Sequence, residues 1–531
     1  MLNTPRARRG MVTAPHHLAA QAGLSVLREG GNAIEAAIAV AAALSVVYPH
    51  MTGIGGDGFW LVAEPGQEPE AIEGCGSALM DANDAAYAGL DTIPWRGTLA
   101  ANTMAGAISG WDAALQTASR WGGRLPLSRL VEEAVWHAEH GFAVTQSQAE
   151  LTAEKLPELQ DAPGFAETFL IDGRLPREGE IMKLPRLGAT LRALAQDGPD
   201  SFYRGKLAAA IAADHARIGG LLQPADLANH HARRPAPLSV KLRKARLYNF
   251  APPTQGFASL MILALFERYV QRIGLREAEG FPFLHGLVEA TKQAFLVRDR
   301  ILGDPDSMVI PAERYINPEM LDLIASRINL ARAMPWPYQG MPGDTIWLGV
   351  SDGEGRQVSY IQSIYFEFGS GCVLPETGIN WQNRGASFLL LGEGPRRLAP
   401  GRRPFHTLNP AMAQFADGRT MVYGTMGGEG QPQTQAAIFS RYGLFGQPLQ
   451  QAVTAPRWLL GKTWGQTSMS LKLEDRYPAA VVATMRAAGH EVDILPPFTS
   501  TMGHAGAIVR HSDGLLEGAT DPRSDGAVAA F

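Results

Sequence analysis

From Pro15 to Leu27 apolar residues recur at the three-to-four spacing of a helix, and the pattern stops at Gly30-Gly31. Asn32 then stands at an N-cap position before an alanine-rich run from Ala33 to about Val47, so the two stretches predict a helical hairpin. The apolar run Ala36 to Tyr48 is too short to cross a bilayer and reads as a buried helix. A glycine-rich turn from Gly53 to Gly58 precedes Phe59-Trp60-Leu61-Val62-Ala63, a predicted short strand. Between about 105 and 330 the spacing is mostly helical, with amphipathic stretches at Leu127 to Glu139, Leu187 to Ala195, Leu207 to Ile218 and Phe283 to Leu302.

Residues 331 to 344 hold three prolines and two glycines, which predicts an exposed, mobile connector. Beyond it the pattern changes to strands, at Thr345 to Ser351, Gln357 to Phe366, Arg419 to Tyr423, Ser468 to Leu473 and Gly506 to Val509. Helical patterns at Gln433 to Tyr442 and Ala479 to Ala488 lie between them. A helix-rich first part followed by alternating strands and helices predicts a layered α/β or α+β sheet packed by helices.

Composition narrows the function classes. With 46% hydrophobic and 19% charged residues, 531 residues suffice for a large core, which excludes general disorder. A net charge of −5 without long runs of one sign argues against nucleic acid as a partner. Cys75 and Cys372 are the only cysteines, too few for a disulfide framework or a four-cysteine zinc site, and imply a reducing compartment. The basic N-terminus lacks a following apolar segment, so the expectation is a cytoplasmic protein without membrane attachment.

Several motifs fail on inspection. Gly53-Ile54-Gly55-Gly56-Asp57-Gly58 spells a dinucleotide fingerprint but follows a helix and precedes a strand, the reverse of the required order, so it reads as a tight turn. Gly461-Lys462-Thr463 lacks the glycine of a P-loop, because Pro456 stands there. His137 and His140 have no third ligand in sequence and read as a solvated helix face; Cys372 reads as a small buried residue. No metal and no organic cofactor is expected.

One junction carries chemistry. Thr345 opens a strand directly after the Pro/Gly connector. A threonine hydroxyl becomes a useful nucleophile beside a base, and its own α-amine, with a pKa of about 7.7–8, is such a base once the chain is cut before it. Physics permits this mechanism without selecting Thr345 over an ordinary strand threonine.

Selection comes from resemblance. Ala14-Pro15-His16, Gly30-Gly31-Asn32-Ala33, Pro49-His50 with Gly53-Ile54-Gly55-Gly56, Phe368-Gly369-Ser370-Gly371, Gly427 through Gln435 and Asp521 through Gly526 follow in the order found in the γ-glutamyltranspeptidase family of N-terminal-nucleophile hydrolases. The resemblance implies an α+β fold, a four-layer αββα sandwich with a helix-rich N-terminal region. It also implies a proenzyme cut between Asp344 and Thr345 into a large chain, 1–344, and a small chain, 345–531, that share one core. The cleaved chains are its expected heterodimer partners, with a dimer of heterodimers as a further assembly. Within the family pattern Thr345 is the nucleophile, seven residues before Asp352; Ser363 falls at the hydroxyl that supports it, and Gly427 and Gly428 at the oxyanion-binding pair.

Departures from the pattern bear on substrate. The segment in which γ-glutamyl enzymes carry a carboxylate-binding arginine reads Ile72-Glu73-Gly74-Cys75-Gly76, and the amine-binding positions read Tyr365 and Ser387. His406-Thr407 replaces a serine pair, and Arg384 replaces a glutamine. Tyr365, Trp381, Arg384 and His406 imply a smaller, more basic pocket, with Arg384, Tyr365, His406 and Thr407 as substrate-binding candidates. The segments around Gln362, Trp381 and Pro404 resemble the cytoplasmic branch of the family that hydrolyses oxamate to oxalate and ammonia in purine-ring catabolism. Expected partners are therefore a small amide and water. Two other readings stay open: γ-glutamyl hydrolysis or transfer, and an uncleaved binding homologue without activity.

Overall fold

The computed structural model describes residues 3–336, 345–461 and 468–531. Asp344, and most of the connector with it, lies outside the described residues. Two antiparallel sheets form the centre. One has six strands in the order Ala527–Ala530, Met11–Ala14, Ile346–Ser351, Gln357–Ser363, Asp57–Ala63, Glu70–Gly74. The other has seven, in the order Arg6–Ala7, Leu516–Thr520, Ala505–Arg510, Thr420–Thr425, Ala411–Phe415, Ala245–Asn249, Leu238–Lys241. Both sheets draw strands from before and after Thr345.

The sheets face each other across Met11, Phe59, Leu61, Trp347, Ile361, Tyr248, Phe250, Met412, Val422 and Ile508. Trp347 fills this layer because glycine stands wherever its indole presses on backbone. A Cβ at Gly424 would lie 2.2 Å from the ring, one at Gly506 2.6 Å and one at Gly349 2.7 Å. Part of the glycine excess is therefore room for one tryptophan.

Helices cover both outer faces. Ala33–Val47 and Ala107–Arg120 lie on the six-stranded sheet, and Gly256–Ile273 and Gln431–Phe439 on the seven-stranded one. The result is the expected αββα sandwich. Every residue of Ala33–Val47 is buried, so this helix has no polar stripe and packs on all sides. Asn32 starts it as the sequence predicts: its Oδ1 accepts from the N–H groups of Ile34 and Glu35, and Glu35 Oε2 accepts from Asn32 N–H at 2.7 Å, a full capping box. Asp352, whose spacing from Thr345 fits the family pattern, accepts from Ala33 N–H at 3.0 Å and from Arg356 Nε at 2.7 Å. It joins the tip of the Thr345 hairpin to this helix.

One expectation changes. His137 is buried rather than on a solvated face, since it lies on the side of Glu132–His140 that packs inward. The described start of the connector is anchored: Met334 N–H donates to Glu289, and Met334 C=O accepts from Lys292 Nζ at 2.7 Å. The strands Met11–Ala14, Glu70–Gly74, Ala411–Phe415, Leu516–Thr520 and Ala527–Ala530 escape the periodicity because they are short and, in several cases, buried on both faces, so they show no apolar–polar alternation.

Candidate active site

Thr345 immediately precedes the strand Ile346–Ser351, in the interior of the six-stranded sheet, and is fully buried in the continuous chain. Register brings Ser363 beside it, because Gln362 pairs with Ile346 on the neighbouring strand. Thr345 Oγ1 donates to Ser363 Oγ at 3.2 Å, and Ser363 Oγ also accepts from Tyr365 N–H at 2.8 Å. The glycine turn read as structural in the sequence backs this pair: a Cβ at Gly56 would lie 2.1 Å from the Ser363 carbonyl oxygen.

Tyr365 has a φ of 83°, an uncommon value for a bulky residue, and its ring is thereby turned under Arg384. The Arg384 guanidinium carbon stands 3.6 Å from the ring centroid. Arg384 is fully buried and donates from Nη1 to Thr407 Oγ1 at 3.2 Å. Its Nε and Nη2, the Tyr365 hydroxyl and His406 Nδ1 are buried without a hydrogen-bond partner among the described residues. Burial lowers the Arg384 pKa to about 10, against the raising effect of Tyr365, Asp57 and Cys75, so the guanidinium keeps its charge at neutral pH. Burial also pushes the Tyr365 phenol up to about 12.

Gly427 and Gly428 form the turn between the strand Thr420–Thr425 and the helix Gln431–Phe439. Their φ values of 116° and 50° are left-handed, which glycine adopts without strain. A Cβ at Gly427 would lie 3.4 Å from Gly503 Cα. The Met502–Gly503 turn is in turn held by Arg457, which donates to both carbonyls and pairs with Asp521; Arg523 adds bonds to Asp521 and Glu474. The C-terminal Asp-Pro-Arg segment is thus a brace behind the glycine turn.

Sequence reasoning missed three side chains. Gln255 Nε2 donates to Gly428 C=O at 2.7 Å and to Thr407 C=O at 2.9 Å, and its Oε1 accepts from Arg298 Nη1 at 2.9 Å. Arg298 is itself paired with Glu429 at 2.7 Å. Asp57, fully buried, lies 2.9 Å from His406 Nε2. Nothing in the local sequence marks Gln255, which follows Pro252-Pro253-Thr254; Asp57 was visible only as an acid inside a glycine turn. Contacts now run without a break from Thr345 through Ser363, Tyr365, Arg384, Thr407 and Gln255 to Gly428.

Two groups among the described residues bring three possible metal donors within 4.8 Å: Asp57, Cys75 and His406, and His285, Glu289 and His490. A cationic side chain already serves each: Arg384 acts on Asp57 and His406, and Lys292 Nζ lies 2.7 Å from Glu289. Both groups are organised as hydrogen-bond networks, the second through a 2.9 Å contact between His285 Nδ1 and His490 Nε2.

With this geometry in hand, relatives can be placed against it. Residues 19–531 match the gamma-glutamyltranspeptidase family. The chain belongs to that family. It is 54% identical over 523 residues to the oxamate amidohydrolase proenzyme of Klebsiella pneumoniae, covering 98% of each chain. It is 39% identical over 524 residues to the glutathione hydrolase-like YwrD proenzyme of Bacillus subtilis, again covering 98% of each. In structure it resembles the cephalosporin acylase of Bacillus halodurans, with a TM-score of 0.91 and 32% identity over 100% of this chain and 97% of that one. As a family member it shares the N-terminal-nucleophile hydrolase fold, to which its αββα sandwich corresponds.

Proposed function

We propose that this chain is a proenzyme that cuts itself between Asp344 and Thr345 and then hydrolyses a small α-oxo amide, oxamate to oxalate and ammonia. The observation that carries the reading is the buried guanidinium of Arg384, with two donors open, on the same run of contacts as Thr345. A single cation suits a single carboxylate close to the scissile carbonyl. The 54% identity to an oxamate amidohydrolase proenzyme points the same way.

In this scheme the Thr345 hydroxyl first attacks the Asp344 carbonyl; the Asp344–Thr345 C–N bond breaks as the ester forms, which frees the Thr345 amine, and hydrolysis of that ester then severs the chain and restores the hydroxyl. That amine then takes the hydroxyl proton as Thr345 Oγ1 attacks the substrate amide. The N–H groups of Gly427 and Gly428 receive the oxyanion, and the amine returns the proton to the departing ammonia. Water then cleaves the oxalyl ester. Chains 1–344 and 345–531 remain together as a heterodimer, because both sheets need strands from each; a dimer of these heterodimers and a cytoplasmic location complete the reading. No described helix is long and apolar enough to cross a membrane.

The deciding experiment measures ammonia release from oxamate, other small amides and γ-glutamyl anilides, with denaturing mass spectrometry of the same sample. Two chains and a preference for oxamate support the reading. One intact chain, or faster turnover of the γ-glutamyl anilide, overturns it.

A further inference from the structure

Asp57 begins the strand Asp57–Ala63, and its carboxylate is held on every side. Oδ1 accepts from Gly76 N–H at 2.9 Å, Gly106 N–H at 3.0 Å and Gln382 Nε2 at 3.0 Å, which leaves Oδ2 facing His406 Nε2 at 2.9 Å. His406 has little freedom to turn. Its backbone N–H donates to Pro253 C=O and its C=O accepts from Gln255 N–H, both at 2.9 Å, while Phe59 meets the ring edge-on at 4.6 Å.

An ionised carboxylate only accepts hydrogen bonds, so the nitrogen facing it must carry hydrogen. Burial and the charge of Arg384 hold the imidazole neutral, with its pKa well below 6.5. A neutral imidazole has a single N–H, so a proton on Nε2 makes Nδ1 a lone pair. That atom is buried without a partner among the described residues.

We propose that Asp57 is a positioning residue that fixes His406 as the Nε2–H tautomer, so that Nδ1 accepts an N–H from the substrate's carbamoyl group while Arg384 holds its carboxylate. This inference rests on the α-oxo-amide reading of the site. It adds a selectivity that Arg384 alone does not supply. Oxamate offers a carboxylate at one end and amide hydrogens at the other. Oxalate offers only oxygen acceptors, and one of them would face the Nδ1 lone pair, so the pocket favours substrate over product.

Asp57→Asn tests this at pH 8.5, where Asp57 is ionised. The asparagine Oδ1 keeps the three bonds that Asp57 Oδ1 accepts, but its Nδ2 donates to His406 Nε2 and drives the imidazole proton to Nδ1. The expected result is a KM for oxamate raised about tenfold and a Ki for oxalate lowered by a similar factor, the scale of one buried hydrogen bond made or lost. Maturation at Thr345 stays complete. Movement of both constants in the same direction is what a merely structural role would give, and overturns the proposal. If the variant fails to fold, neutron diffraction on the deuterated, unsubstituted enzyme decides: density on Nε2 supports the proposal, and density on Nδ1 overturns it whatever the substrate. Loss of the oxamate reading itself would appear separately, as absent turnover in the unsubstituted enzyme.

Discussion

The guanidinium carbon of Arg384 stands over the ring of Tyr365, 3.6 Å from its centroid, with both side chains buried. Lysine keeps the charge but not the plane, and it cannot supply the Nε and Nη2 pair. Arg384→Lys is expected to raise the KM for oxamate by about 10- to 100-fold, equivalent to about 1.5–3 kcal/mol for a charge-assisted bond, with a smaller change in kcat. Steady-state kinetics check this, alongside mass spectra that still contain two chains.

Thr345→Ala removes the hydroxyl needed for both the self-cleavage and the turnover. A single chain of 531 residues without amidase activity is expected by denaturing mass spectrometry and ammonia assay. Thr345→Ser keeps an oxygen 3.2 Å from Ser363 and is expected to mature, more slowly. An alanine variant that still splits would mean that the nucleophile lies elsewhere.

Gln255→Leu removes one of the two donors to each of the carbonyls of Gly428 and Thr407, which keep the Gln431 N–H and Asn409 Nδ2, and takes the Gln255 acceptor from Arg298 Nη1, all in the interior. Each lost buried hydrogen bond costs about 0.5–1.5 kcal/mol, so a lower Tm is expected. Because Gln255 holds the glycine turn, kcat is expected to fall about 10-fold or more with KM changed less. An unchanged kcat would separate Gln255 from catalysis.

Burial raises the Asp57 pKa from 3.8 to about 7, although the Gly76 N–H, Arg384, Gln382 and the Gly106 N–H all favour the charged form. Cys75, Tyr203 and Tyr360 also feel this carboxylate, and all three stay neutral across this range. Below about pH 7 a proton on Asp57 gives His406 a donor where it had an acceptor. The KM for oxamate is therefore expected to rise as pH falls through about 7 in the unsubstituted enzyme, and to stay flat there in Asp57→Asn. Stability carries the opposite sign. The folded state binds this proton more tightly than the unfolded one, so the group costs stability progressively as pH rises from about 4 to about 7. Urea titrations at several pH values should find that slope reduced in Asp57→Asn.

Much of the fold was legible where local chemistry decides it. Asn32, the alanine-rich helix behind it and the strand after Thr345 appear in the structure within a residue or two of their expected ends. Short strands such as Ala411–Phe415 were not legible, because burial on both faces erases alternation and only long-range pairing defines them. At the site, family resemblance singled out Thr345, Ser363 and the glycine pair, and substitutions against the family pattern pointed to Arg384. Gln255 and Asp57 stayed hidden, since each acts through partners more than 15 residues away in sequence, the nearest being Gly76.

The strand after Thr345 lies between Met11–Ala14 and Gln357–Ser363, inside a sheet built from both halves of the chain. A cut at its start therefore changes the order of the unfolding reaction. The uncut protein unfolds as one molecule, with a midpoint independent of its concentration. The cut protein separates as it unfolds, so its midpoint rises with concentration, and its refolding becomes a second-order encounter between two chains that each lack a complete sheet. Self-cleavage would then work as a ratchet, with a fold assembled while its parts are tethered and kept afterwards by the slowness of losing it.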